Sequence, residues 1–515
     1  MKKIRLLVFA MLVIAAQSVY AQNDVTAYSI SNTAFQDGTA RSAAMGNALT
    51  ALGGDLGSIN LNPAGVAVYK FTEIGFTPAL TTVTTKSDLF GTSTKSTRND
   101  FGIANTGGVF YFPISSGRHS LKNINFGFTY SNLCNYATSE RNIHNGNTSD
   151  PTYLDFLANF TTKAANSFGL TAEEFSEELD RNASQNPYSY LGSALWPSVL
   201  AWNTSLLDLN ADGSAFVATE QHEINQSFKR KSWGYNGAAD LSMGFNFGDV
   251  LYLGANFTIN SINNRVKEIY SEDGVGAQDF KFMDYSYNQK TTGSGIAGKL
   301  GIIVNPAPFV RFGAAVSTPT LYDLTDRAHW EMTSSLGGDY YQNLRTPTIE
   351  MDYQLTTPFK YNFGFALVFP VAALSIDYEG TNFSHMKFHS ASHGPDEDYD
   401  WGYMNDFIKQ CYKRQDKIRA GLEINPAPFL SLRAGFQYSN SGIKDIDLDQ
   451  YVGSLGVGFS TSGGFFADLG FSTTLKKTDY LFDSDNLLLS YIGSNARNKC
   501  SRSTWKALLT IGFRF

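Results

Sequence analysis

Four groupings of side chains in this sequence have the types that hold metals or carry out catalysis. Asp208, Asn210, Asp212 and Gly213 follow the front half of a calcium loop, where alternate oxygen ligands ring the ion before a glycine turns the chain. The twelfth position of such a loop needs a bidentate carboxylate; here it is Thr219, with Glu220 one place late. A solvated turn is therefore the expectation. His385, His389 and His393 recur every four residues, a spacing that gathers imidazoles only on a helix. Pro395 and the strand-like residues before them argue against a helix, so a ladder of imidazoles on a loop is expected. Asp396, Glu397, Asp398 and Asp400 form an acidic patch, read as a solvated loop with a divalent cation as the functional alternative. Cys134, Cys411 and Cys500 are odd in number and give neither a disulfide framework nor a close metal spacing. The sequence has no nucleophile elbow, no HExxH and no P-loop. Scattered histidines permit a Ser–His hydrolase, but no spacing supports one. The expectation is a protein that is not an enzyme, with no catalytic residues, no metal and no cofactor.

The elements that would carry these groups begin after a leader. Lys2, Lys3 and Arg5 precede a short apolar run, Leu6 to Ala16, and Val19 and Ala21 sit at −3 and −1 of a small-residue cleavage site. Residues 1–21 read as a signal peptide and the mature chain as starting at Gln22. The apolar run is shorter than the about 20 residues a spanning helix needs. Without the leader's three cations the formal net charge falls from −7 to −10, a poor balance for binding nucleic acid.

The composition of the full chain, with 39 Phe, 27 Tyr and 46 Gly, suits many strands with aromatic girdles. The last residues alternate: Trp505, Ala507, Leu509, Ile511, Phe513 and Phe515 fall on one face, and Thr504, Lys506, Leu508, Thr510, Gly512 and Arg514 on the other. Leu251, Leu253, Ala255, Phe257 and Ile259 alternate likewise with Tyr252, Gly254, Asn256, Thr258 and Asn260. Charges such as Asp377, Glu379, Arg419, Glu423, Arg433, Asp468 and Arg514 all land on the small or polar face. About 14 such strands can be read, an even number as a bacterial single-chain barrel requires. They begin near residues 71, 101, 121, 232, 250, 284, 308, 349, 372, 415, 429, 449, 464 and 503. Connections after even strands are short and those after odd strands mostly long (135–231, 272–283, 331–348, 384–414, 479–502). That sorting expects long loops outside and both termini in the periplasm. Asn-Pro-Ala-Pro-Phe recurs at 305–309 and 425–429 as the turn of a reused hairpin. The fold class read is all-β: a transmembrane antiparallel barrel of the outer membrane, spanning residues 71–515, with an N-terminal plug and a partly helical extracellular insertion at 135–231.

Residues 22–70 do not alternate. Ala40 to Leu52 can form a short helix interrupted at Gly46; Gly53, Gly54 and Gly57 end it, and Asn60 to Gly65 is a turn. The bland expectation is a periplasmic tail, and the sharper one a plug folded back into the lumen, which a barrel of this strand number would otherwise leave open. The stretch AAMGNALTALGGDLGSINLNPAG resembles the hatch of FadL-type long-chain fatty acid transporters: a small-residue helix, an Asp, then Asn-Pro-Ala before the first strand. Asp55, Asn62, Pro63, Ala64 and Gly65 are the residues that match. KLGIIVNPAPFVRFGAAVSTPTLYDL and TPFKYNFGFALVFPVAALSIDYEGTNFSHM resemble later strands of the same family, so the resemblance covers the hatch, most strands and the C-terminus. It implies capture of a hydrophobic molecule from outside and lateral release into the membrane beside a kinked third strand. That strand would lie near Asn123 to Cys134, with Asn125, Gly127 and Thr129 as candidate gate residues.

The insertion at 135–231 departs from that family. Thr171-Ala172-Glu173-Glu174 is a capping box and predicts a helix. Leu191, Leu195, Trp196, Leu200 and Trp202 are a candidate extracellular capture surface; the alternative is that they form the core of a small helical cap. The function expected is passive transport of hydrophobic molecules of the fatty acid class. The alternative is a surface scaffold or secretion-accessory protein on the same barrel. Expected partners are outer-membrane lipid, a hydrophobic ligand and, through Phe515, the barrel assembly machinery, with a monomeric barrel and no nucleic acid.

Overall fold

In a computed structural model, the protein is described over residues 24–33, 38–89, 92–114, 121–145, 152–184, 191, 195–219, 224–275, 279–338, 340–392, 399–445, 447–476, 478–481 and 499–515. Its main sheet closes on itself as an antiparallel barrel of fourteen strands. They are β1 (Glu73–Leu89), β2 (Thr92–Pro113), β3 (Leu121–Asn135, continued by Thr138–Asn145), β4 (Ile224–Phe247), β5 (Leu251–Gly274), β6 (Phe280–Ala307) and β7 (Val310–Ser317, continued by Leu321–Leu336). The second half comprises β8 (Ile349–Thr356, continued by Lys360–Val368), β9 (Ala372–Asn382, continued by Lys387–Ser390), β10 (Arg414–Ala427), β11 (Leu430–Ser439), β12 (Gln450–Ser460), β13 (Phe465–Thr474) and β14 (Lys499–Arg514). Closure is by β1 on β14, with Glu73 opposite Arg514 and Phe76 opposite Ile511.

The alternation that marks these strands separates two environments. On β5 the outward residues Leu253, Phe257 and Ile259 are exposed while Tyr252, Asn256, Thr258 and Asn260 are buried. Above Ile259 the outward positions turn polar, at Ser261, Asn263, Arg265 and Lys267. The apolar belt is thus about nine residues tall, the length a tilted strand needs to cross a hydrocarbon core. Exposed Phe, Leu and Ile around the outer wall have no aqueous rationale and are what a lipid-facing surface requires.

Strand height is uneven. β11 to β13 have 10, 11 and 10 residues, whereas β4, β5 and β6 have 24, 24 and 28. The surplus rises beyond the belt on the side of the long connections. These extensions correct the sequence reading, which began β2 near 101 and β4 near 232 and took 272–283 and 331–348 as loops. Above the belt neither face meets lipid, so the alternation that marks a membrane strand is gone. On the opposite rim the turns are tight: Gly248 and Asn-Pro-Ala-Pro-Phe segments link neighbouring strands, with Gly248 and Asp249 both in the left-handed region (φ 65° and 59°).

The lumen is filled from two directions. Residues 38–69 fold inside the belt as α2 (Ala40–Ala44) and two 3-10 turns, Leu56–Ser58 and Pro63–Val68. Helix α1 (Asp24–Ser31) lies further along the lumen, towards the long connections, where Ala27 and Ile30 pack with Tyr322, Tyr353, Phe383 and Tyr412. The chain around Asp24 thus lies on the side of the long connections, while on the short-turn rim the Phe515 amide donates to Thr72 O at 2.9 Å. Beyond the belt, α3 (Tyr153–Phe168), α4 (Ala172–Ser184) and α5 (Trp196–Asn203) pack on the tall wall as a cap, and α6 (Gly402–Cys411) packs with α1. The predicted signal peptide lies outside the described residues.

Candidate functional site

Asn62, of the Asn-Pro-Ala-Gly turn, does three jobs at once. Its Oδ1 accepts from Ala64 N (3.0 Å) and so caps the turn, while its Nδ2 donates to Thr50 O (2.7 Å) within the hatch and to Ile302 O (3.2 Å) on β6. Pro63 fixes the first position of the 3-10 turn, and Pro63 and Ala64 lie against Gly254 of β5. Gly65 O accepts from Gly54 N (3.2 Å), and its bare Cα leaves room for Ser58. Asp55 accepts from Thr39 Oγ1 (2.8 and 2.9 Å) and from Gly57 N (2.8 Å), pinning the two ends of the hatch loop together.

The hatch seats in the wall on glycines. On eleven strands a glycine faces it: Gly75, Gly127, Gly244, Gly254, Gly301, Gly313, Gly364, Gly421, Gly435, Gly456 and Gly470. A Cβ at Gly435 would lie 2.1 Å from Gly46 N, at Gly254 2.2 Å from Pro63 C, at Gly313 2.3 Å from Thr50 O and at Gly421 2.4 Å from Met45 O. The seam thus brings backbone against backbone, closer than any other residue allows. Gly46 itself is held at φ 61°. Charge adds to the fit: Arg41 Nε meets Glu423 (2.8 Å), Glu423 meets Arg433 (2.6 Å) and Arg433 meets Asp468 (2.6 Å). Thr50 N donates to Asp377 (2.7 Å) and Arg311 to Leu52 O (2.8 Å). The sequence showed Glu423, Arg433 and Asp468 on the polar face, but nothing local linked them to Arg41.

The candidate gate residues sit on this seam. Asn125 Nδ2 donates to Val66 O (2.8 Å) and Tyr69 O (3.0 Å), Gly127 lies under Val66 and Ile59, and Thr129 is buried. Gly127 pairs with Val109 of β2 and Ser242 of β4. The β2–β3 ladder ends higher, at Asn105–Ser131. Above it β2 pairs with β1, β3 pairs with β4, and side chains such as Asp100–Asn135 (2.7 Å) and Ser96–Ser139 (2.8 Å) bridge the two.

The residues of the candidate capture surface take the alternative place, in the core of the helical cap. Leu191, Leu195, Trp196 and Leu200 are between 0% and 7% exposed, in the cap's core, with the Trp196 ring edge-on to Trp330 of β7 (5.6 Å). Trp202 is partly buried, its Nε1 on Asp180 (2.8 Å) and its ring on Phe216. An apolar helical stripe beside a tall apolar wall buries itself before it meets a ligand. The capping box forms as read: Thr171 N donates to Glu174 (2.8 Å) and Glu174 N to Thr171 Oγ1 (3.1 Å), which holds the Glu174 carboxyl below its usual range. In the same cap, burial pushes the Tyr153 phenol upwards.

Asp208 to Thr219 form a small hairpin turned by Asn210–Ser214 contacts. His385 ends a 3-10 turn and His389 is on β9, with His393 and Asp396 to Asp398 outside the described residues. Among the described residues no cluster of His, Cys, Asp and Glu could hold a metal. Where the hatch, α1 and the wall meet, the lumen keeps a cavity of about 60 Å³ lined by both polar and apolar side chains, Asn60, Lys299, Lys360, Ile30 and Leu133 among them. A larger apolar concavity of about 680 Å³ lies on the outer face of β3 to β8.

Solved structures share this architecture. A Pseudomonas aeruginosa FadL homologue superimposes with a TM-score of 0.54 at 13% identity, covering 93% of this chain and 98% of that one. The Pseudomonas putida toluene transporter TodX gives 0.52 at 13% identity (93% and 98%), and the Ralstonia pickettii toluene transporter TbuX 0.51 at 14% (94% and 100%). No family model matches the sequence, and no curated protein does. At these identities the likeness establishes the fold alone: the chain shares the barrel fold of these structures.

Proposed function

We propose that this protein passes hydrophobic small molecules, of the long-chain fatty acid class, through an outer membrane by way of the barrel wall and not along its axis. The observation that carries the reading is the hatch seam. In this reading the glycine seating of the hatch on eleven strands, against hatch backbone on seven of them, closes the axial route to water. A closed axis is useless to a porin, whereas a molecule that partitions into lipid needs only a way through the wall. Each CH₂ that leaves water gains about 0.8 kcal/mol, so capture and release need no energy input. The names of the fold neighbours, a FadL homologue and two toluene transporters, support the hydrophobic class. In this reading the long connections face outward, Phe515 serves barrel assembly and the barrel works as a monomer.

A scaffold function is the second reading. It is favoured by a luminal cavity of about 60 Å³, too small for a fatty acid, and by a cap with its own core. Mass spectrometry of small molecules released from purified barrel separates the two. Transport expects stoichiometric apolar ligand, and faster entry of labelled fatty acid into cells that carry the protein than into cells without it. A barrel that releases nothing and takes up no offered lipid, aromatic compound or haem supports the scaffold.

A further inference from the structure

Two neighbouring strands of the wall, β7 and β8, are interrupted side by side. Residues 318–320 interrupt β7 and residues 357–359 interrupt β8, and a proline stands at the centre of each, Pro319 and Pro358. Proline has no N–H to give a ladder. Regular pairing stops at Ser317–Lys360 and resumes at Leu321–Thr356. Between these pairs the strands are joined by Thr320 and Thr357, whose amides donate to Thr357 Oγ1 (2.9 Å) and Thr320 O (3.0 Å). Leu321 and Ile296 above the notch, and Val316 and Leu300 below it, are all exposed, so lipid bathes both sides.

Two cavities of different character meet there. The outer concavity of about 680 Å³ has small residues, Ala255 and Gly298, in its floor, and Phe128, Leu241 and Leu300 on its sides. The luminal cavity of about 60 Å³ has Lys360, Thr33 and Asn60 in its wall. Thr318 and Lys299 line both. Lys360 Nζ donates to Ser31 O (3.2 Å) and Thr33 Oγ1 (3.1 Å), which leaves one of its three N–H groups uncommitted among the described residues. The nearby Glu379 is already held by Lys417 (2.9 Å) and Arg419 (2.6 Å), and Lys299 stands 3.6 Å from Asp240. An ammonium whose nearest carboxylate, Glu379, is ion-paired to Lys417 and Arg419 lies just inside a break in the wall, with an apolar groove just outside it.

We propose that the β7–β8 notch is a side portal for a free long-chain carboxylate, with its head on Lys360 and its chain in the outer groove. Thr318 and Phe359 are the lips of this portal. The proposal rests on the transport reading and places the exit at β7–β8, four strands along the wall from the third strand, whose Phe128 lines the other end of the groove. The occupant follows from charge and depth. A phospholipid keeps its headgroup at the membrane surface, whereas this cation sits at belt height, where a single-chain acid can slide.

The test uses the full chain in nanodiscs and palmitic acid bearing a diazirine near its methyl end. The expected result is photolabelling of peptides that carry Leu300, Leu241 or Phe359. Lys360→Met should weaken that labelling roughly ten- to hundredfold, as loss of a charge-assisted bond implies. Gly298→Trp should abolish it by filling the groove. A Cβ at Gly298 has open space around it, its nearest neighbour 3.8 Å away, so this variant leaves the hatch and ladder alone. Labelling confined to β2 and β3 and indifferent to both substitutions sinks the portal and leaves transport standing. No labelling above that of a heat-unfolded barrel sinks both. Groove labelling that photoreactive phosphatidylcholine reproduces and excess palmitate cannot displace makes the groove an annular lipid site and overturns the proposal.

Discussion

Gly435→Ala is the smallest change that tests whether the hatch is locked by shape. The added methyl would lie 2.1 Å from Gly46 N and 2.5 Å from Met45 C. Restoring an ordinary contact of 3.4 Å moves the hatch backbone by about 1.3 Å, the difference between the two distances. Gly46 is fixed in a left-handed turn and cannot absorb that shift by a local twist. Overpacking of a tight interior costs about 1–3 kcal/mol per site. Gly254→Ala adds a second clash, 2.2 Å from Pro63 C, six strands away from β11, so the hatch cannot slide clear of both. Distant sites add, so the pair should destabilise the seated hatch by roughly 2–6 kcal/mol. The assay is limited proteolysis of the hatch together with single-channel conductance. Heat-modifiable gel mobility reports whether the barrel itself remains closed. Gly102→Ala, with no neighbour within 4 Å, is the control. The expected outcome is a closed barrel with a cleavable hatch and raised conductance in the double variant. Full protection and unchanged conductance in a closed barrel would refute locking by shape.

Four further outcomes follow from the same contacts. Glu423→Gln leaves Arg41 and Arg433 without their shared carboxylate and should weaken hatch seating by about 3–5 kcal/mol, read as a lower urea midpoint for hatch proteolysis. Leu200→Ala, at 0% exposure in the cap core, should destabilise the cap by about 2–5 kcal/mol, seen as loss of amide exchange protection in α3 to α5 while the barrel strands stay protected. The Glu174 carboxyl, its pKa lowered by Thr171, should titrate in a carbon chemical-shift series below a free peptide glutamate. Its contribution to the start of α4 is complete above the ordinary carboxylate range and vanishes as pH falls through the lowered value. Deletion of Phe515, which is 69% exposed, should reduce delivery to the outer membrane in cells while leaving the urea midpoint of refolded barrel unchanged.

Where lipid and lumen impose alternation, the sequence was easy to read. The starts of β3, β5, β8 to β13 and the face of Leu509, Ile511 and Phe513 stand out because each strand has one partner environment per face. Thr92 to Asp100 was missed because that stretch is polar on both faces, as a hairpin in water can be. Helix α3 was missed although Thr152 caps it with Asp155 three places on, the same signal that gave α4. Leu508 looked out of place on the polar face and turns out to pack on Ala40 and Ala43 of the hatch. The seam was invisible for a different reason: a glycine facing backbone from far along the chain carries no local mark. The notch, by contrast, had one, since Pro319 and Pro358 interrupt strand-like runs.

The path of the first described residues sets the order in which this molecule can be built. Helix α1 lies above the hatch, the hatch is joined directly to β1, and Ala40 N bonds Thr510 Oγ1 across 470 positions of chain. The segment made first is therefore completed last, when the final strand arrives and the ring shuts round it. Contacts of such separation are slow to form. Once shut, the barrel holds its leading segment like a bolt threaded through a nut. Drawing the hatch out towards the short turns would drag α1 through a ring of glycines with no spare width. Transport that required the hatch to leave would have to unmake that topology on every cycle; passage through the wall leaves it intact.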